Sequence, residues 1–242
     1  MTKNMDSLSK DRQNTALASV LNDVGNTLQF MADAGCRGFE CDASHHDMVR
    51  NWDGHNLDRA ESLSDVRSDL GDCKRCELSN QRTQIVFGDG SEKARLVFVG
   101  EGPGYQEDKQ GIPFFGAAGK LLVRILEAMH LSREDVYICN IVKCRPPSNR
   151  NPKPEEISRC MPFLERQIKA INPEFICALG KFAAQTLLQT EVPISKLRGR
   201  FHAYHGIHVM PTYHPAYLLR NPASKRDVWN DMQQLMKCMG LC

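Results

Sequence analysis

Between residues 14 and 34, Leu17, Val20, Leu21, Val24, Leu28 and Met31 recur at intervals of three and four. That period puts them on one face of a helix, and Gly35 supplies a stop. Such a stripe is ordinarily a packing face, although it would also serve to dock a partner. The period vanishes over residues 36–60, where Asp, His, Asn and Gly dominate and a linker is expected. Cys36, Cys41, His45, His46 and His55 fall there at a spacing that matches no zinc finger, so solvated side chains are expected.

From about residue 71 the pattern becomes an alternation of strands and helices. Apolar runs rich in β-formers predict strands at 95–100, 136–142, 174–179 and 206–211. Helical spacing predicts helices at 118–130, 154–171 and 181–189, with Pro154 suited to a helix start. Strands that alternate with helices pair in parallel and are covered on both faces. The expectation is an α/β fold: three α/β/α layers around a central, mostly parallel four-stranded sheet. Residues 1–60 form an extension, and residues 61–242 form the domain.

Composition narrows the class. The chain has 242 residues, with no apolar run as long as a membrane span and a polar N-terminus unlike a secretory signal. A cytoplasmic protein is expected. Its ten cysteines are then better assigned to metal or cluster ligation and burial than to disulfides. The net charge of +2 conceals an asymmetry. Residues 1–70 carry 7 Lys/Arg against 12 Asp/Glu, whereas residues 71–242 carry 24 against 17. A basic domain with an acidic appendage suits a polyanion such as DNA.

Ligands of open parallel sheets bind beyond the carboxyl ends of the strands. Gly100-Glu-Gly-Pro-Gly104 follows the first strand, Asn140 lies late in the second, and Tyr213-His214-Pro215-Ala216 follows the last. The glycine-rich turn matches neither phosphate-binding fingerprint, and Glu101 would repel phosphate. It reads either as close backbone approach to a ligand or as a tight strand-to-helix turn. Gly111-Ile-Pro-Phe-Phe-Gly116 sets two aromatics in a loop, to anchor it or to stack on a flat ligand. Cys73-Lys-Arg-Cys76 precedes the core, too early for a thioredoxin-type pair. With Cys144 and Cys160 it offers four thiolates, and spacing leaves zinc and an iron–sulfur cluster open.

Together and in this order, CxxC, GEGPG, EDKQGIPFFGAAGKLL, NIVKCRPP, Cys160 and HPAYLLRNP resemble the family-four iron–sulfur uracil-DNA glycosylases, from about residue 62 onward. The resemblance implies excision of uracil from single- or double-stranded DNA without a catalytic metal. It also implies a structural [4Fe-4S] cluster on Cys73, Cys76, Cys144 and Cys160. Gly102, Glu107, Phe114, Asn140 and His214 would bind the extruded base. Phe114 would stack on it, Asn140 would read its O4 and N3–H, and Glu107 would guard C5 against thymine's methyl. His214 would donate to O2 as charge develops, and Glu101 would stabilise the sugar cation or orient water. Leu218 would enter the vacated base stack, while Lys143, Arg145, Arg150 and Arg220 would meet phosphates.

The chain departs from the GQDPYH pattern of better-known uracil glycosylases. Gly102 stands where they carry a water-activating aspartate, and Gly104 where they carry a tyrosine guard. A trapping relative would carry a histidine in the loop at 146–154, and none is present. A plain cluster-bearing DNA-binding module would not need Glu101, Phe114, Asn140 and His214 together. A repair or replication partner for residues 1–60 is left open.

Overall fold

The structure is a computed structural model that describes residues 61–241. The helix expected at 14–34 and the linker at 36–60 lie outside the described residues. Helix α1 spans Leu63–Leu70, where Ser62 and Asp65 cap each other reciprocally. A 3-10 turn at Glu77–Asn80 leads to strand β1 (Asp89–Gly90) and strand β2 (Leu96–Gly100). Helices α2 (Tyr105–Gln110) and α3 (Ala117–Ala128) precede strand β3 (Tyr137–Asn140). Helix α4 (Pro154–Ile171) begins on its proline, with Glu156 accepting from the Lys153 amide at 2.7 Å. Strand β4 (Phe175–Leu179), helices α5 (Lys181–Leu188) and α6 (Ile194–Leu197), and strands β5 (His202–Tyr204) and β6 (Ile207–Thr212) follow. Helices α7 (Pro215–Arg220) and α8 (Lys225–Met239) close the chain.

The sheet order is β1-β3-β2-β4-β6-β5. The four inner strands are parallel, as expected, but the sheet has six strands rather than four. β1 and β5 run antiparallel along its edges. At two and three residues they are too short to show an alternation in sequence.

The strict two-residue period of the strands divides the core. Val97 and Val99 of β2 face α1, α4 and α5, in a layer with Val66, Leu164 and Ala184. Leu96 and Phe98 face the opposite layer, with Leu122, Leu126, Met232 and Leu235 from α3 and α8. Every residue of β2, β3 and β4 is buried. This rigid slab sets the strand ends in a row along one edge. No helix among the described residues is long and apolar enough to cross a membrane.

Candidate active site

The carboxyl ends of β2, β3 and β6 open onto one cleft of about 410 Å³. Glu101, Gly102, Glu107, Phe114, Asn140, His214 and Arg220 all line it. So do Pro146, Asn149 and Arg150, from the loop that follows β3.

Gly100 and Asn140 are register partners at the ends of β2 and β3. A Cβ on Gly100 would stand 2.4 Å from Asn140 Oδ1 and 2.7 Å from Phe114 Cζ. Here glycine is required by close approach, and its absent side chain is the space in which the amide and the ring meet. Asn140 is buried, and its Oδ1 has no hydrogen-bond partner. A buried acceptor left unmade costs about 1–3 kcal/mol, so this atom awaits a donor.

Phe114 takes the left-handed backbone conformation at φ 52°. Two straps hold it there. Arg133 donates to the carbonyls of Pro113 and Phe114 at 2.9 and 3.2 Å and is itself paired with Asp89 at 2.8 Å. Glu107 Oε1 accepts from the amides of Phe115 and Gly116 at 2.9 and 2.8 Å. The Phe114 ring lies 5.4 Å from the His214 ring, tilted by 30°.

His214 is the N-cap of α7, and its Nδ1 accepts from the Ala216 amide at 3.1 Å. Burial pushes its pKa down to about 4; Arg220 adds to the fall and Glu107 opposes it. The ring is therefore neutral near pH 7, with the proton on Nε2 because Nδ1 is an acceptor. Glu101 is half-buried, and burial alone raises its carboxyl above the usual range.

Three expected DNA contacts are placed differently. Leu218 is 1% exposed and packs in the core beneath α7, whereas its neighbour Leu219 is 47% exposed. In the helical conformation of α7, position 218 turns inward, so the side chain free to leave the surface is that of Leu219. Lys143 is fully buried, and its Nζ donates to the Asn140 carbonyl at 2.8 Å, away from any phosphate. Arg150 lines the cleft but is held by both oxygens of the buried Glu156 at 2.8 and 2.5 Å. Arg220 remains exposed, and Arg145 donates to Asn149 at 2.7 Å. No sequence signal marks Arg133, whose straps run between distant segments.

The thiols of Cys73, Cys76 and Cys160 pack against the core beside buried Cys144. Arg82 Nη1 reaches Cys144 Sγ at 3.4 Å and the Cys73 carbonyl at 2.6 Å, and the Lys143 amide donates to Cys160 Sγ at 3.3 Å. Burial pushes the Cys144 thiol up to about 11.

The fold and this cleft carry the marks of one protein class. The sequence model of the uracil DNA glycosylase superfamily matches residues 87–233, and the chain belongs to that superfamily. Type-4 uracil-DNA glycosylases cover most of it. The one from Archaeoglobus fulgidus is 43% identical over 74% of this chain and 94% of its own length. That from Thermotoga maritima is 47% identical over 73% and 94%, and that from Saccharolobus solfataricus 40% over 74% and 87%. Within the superfamily, the chain is a member of the type-4 family.

Proposed function

We propose that this chain removes uracil from DNA by hydrolysing the N-glycosidic bond of an extruded nucleotide. The observation that carries the reading is the unpartnered Oδ1 of Asn140 at the floor of a cleft walled by Phe114 and His214. A flipped uracil stacked on Phe114 would offer N3–H to that oxygen and O4 to the amide nitrogen. Cytosine presents the opposite polarity and leaves both groups unpaired. Glu107 is tethered by two loop amides, so a thymine methyl at C5 would meet a carboxylate with little freedom to withdraw.

Bond cleavage leaves negative charge on the base and positive charge on the sugar. The Nε2–H of a neutral His214 donates to O2 as that charge grows, which is where a preorganised donor counts most. Glu101 supplies the opposite charge, facing the sugar or its attacking water. Leu219, in place of Leu218, fills the vacated stack, and Arg220 and Arg145 meet phosphates. The bond-breaking step draws its charge from these side chains, so excision is expected to persist in EDTA.

The donor set of Cys73, Cys76, Cys144 and Cys160 suits a [4Fe-4S] cluster. Among the described residues, no three His, Cys, Asp or Glu side chains stand close enough to hold a single metal ion. The Arg82 guanidinium donates to Cys144 Sγ at 3.4 Å, and the backbone amide of Lys143 donates to Cys160 Sγ at 3.3 Å. A thiolate cluster would tie the segment at 73–76 to the end of β3 and to α4. Incubation with a uracil-containing oligonucleotide, alkali treatment and gel analysis tests the function. Strand scission at uracil is expected, and intact strands with bound or covalently trapped protein would refute it.

A further inference from the structure

Two exposed aromatic residues follow residues of the cleft and have no part in the chemistry at uracil. Tyr105 follows Gly104, a residue of the cleft wall, and is 51% exposed. Phe115 follows Phe114 and is 45% exposed. Glu107 joins the two segments by accepting from the Phe115 amide.

Two cations attend the Tyr105 ring. The Arg145 guanidinium lies 5.0 Å from its centroid and the Lys109 ammonium 5.9 Å. Neither has an ion-pair partner among the described residues. Arg145 is also hydrogen-bonded to Asn149 in the cleft wall, so the aromatic–cation pair is continuous with the base pocket. An exposed ring flanked by uncompensated cations is the recognised pattern for a single nucleic-acid strand. The ring stacks a base of any identity, and the cations take the phosphates.

We infer that Tyr105, with Arg145 and Lys109, is a stacking subsite for the nucleotide next to the extruded one on the uracil-containing strand. The inference rests on the uracil reading above. The subsite holds the strand beside the opening and leaves the pocket itself to recognise uracil. Its energy appears in strand binding more than in bond cleavage. One base stacked on an aromatic contributes about 1–3 kcal/mol, which corresponds to a loss of roughly 5- to 150-fold when the ring is removed.

The test uses the full chain and single-stranded oligonucleotides with 2-aminopurine on the 5′ or the 3′ side of uracil. Tyr105→Leu keeps apolar bulk and removes the ring; Tyr105→Phe keeps the ring. Quenching of one of the two probes is expected with the wild type and Tyr105→Phe, and loss of that quenching with Tyr105→Leu. KM should rise by roughly tenfold in Tyr105→Leu, with kcat carrying the smaller share. On an oligonucleotide that ends at uracil on the quenched side, wild type and Tyr105→Leu should become alike. A wild type that excises uracil, with Tyr105→Leu unchanged in KM and quenching, overturns the subsite alone. A KM difference that persists on the truncated strand overturns it too. A wild type that excises no uracil overturns the functional reading and the subsite with it.

Discussion

Acidifying the reaction from about pH 8 to about pH 5 acts on Glu101 and leaves His214 as it is. With its pKa held at about 4, His214 stays neutral across that range, and its Nε2–H donor is intact throughout. Glu101 is raised by burial, so its ionised form is lost first. The acid limb of single-turnover excision should therefore belong to Glu101. Glu101→Gln should lower the rate and flatten the limb. His214→Ala should lower the rate by about two to three powers of ten, the cost of one lost oxyanion-type donor, and leave the limb where it was. Binding to an abasic product strand should change little in His214→Ala, because the donor is needed mainly as charge develops.

The same geometry fixes the sign of a stability effect. A histidine whose folded pKa lies below its unfolded value contributes stability above about pH 6.5 and loses it as pH falls through about 4. The gap corresponds to at most about 3 kcal/mol, and partial exposure of the ring reduces it. Denaturant melts of wild type and His214→Ala at each pH separate this loss from the kinetic limb. A limb that moves with His214→Ala, or a ¹⁵N spectrum that places the imidazole proton on Nδ1, would refute the assignment of roles.

Gly100→Ala should abolish excision while the protein remains folded, because its Cβ displaces Asn140 and Phe114 together; a single-turnover assay with a circular dichroism control checks this. Leu218→Ala should cost about 2–5 kcal/mol of stability by opening a buried cavity. Leu219→Ala should leave the melt unchanged and slow excision from duplex more than from single strands, as read in parallel melts and duplex-against-single-strand rates. Protein purified without oxygen should be brown and absorb near about 400 nm. Cys144→Ala should lose colour and stability together, and colourless, active protein with stoichiometric zinc would refute the cluster.

What was legible in the sequence follows from how much each feature is repeated. The buried strands β2 and β4 announce themselves as unbroken apolar runs, β3 as one interrupted by Asn140, and α4 by its proline start and long stripe. The edge strands carry too few residues to repeat anything. α8 does carry a stripe, through Val228, Met232, Leu235 and Met239, which a reading led by the strands passes over. Glu101, Asn140 and His214 could be placed at the cleft because strand ends share an edge, whereas the roles of Glu107 and Phe114 came from the family resemblance. The fate of each basic residue could not be placed, because it turns on a partner distant in sequence or on a single turn of backbone. Lys143 turns inward to the carbonyl of Asn140, and Arg150 finds Glu156.

Lys143 also links two parts of the molecule that the sequence presents as separate motifs. Its ammonium holds the carbonyl of Asn140, the residue proposed to face the base, while its own amide donates to Cys160 Sγ and its neighbour is Cys144. On the proposed reading, base recognition and sulfur ligation share five consecutive residues, from Asn140 to Cys144. A disturbance at the cysteines should propagate to Asn140 through one short, fully buried turn. Weakened excision in a cysteine variant would then report lost positioning of Asn140, with no role for the sulfurs in bond cleavage. Lys143→Met separates the two effects, because it keeps the backbone amide to Cys160 and removes only the bond to Asn140. Loss of uracil-over-cytosine discrimination with colour retained would show that the base pocket depends on this side chain directly. Wild-type discrimination with colour retained would show that it does not.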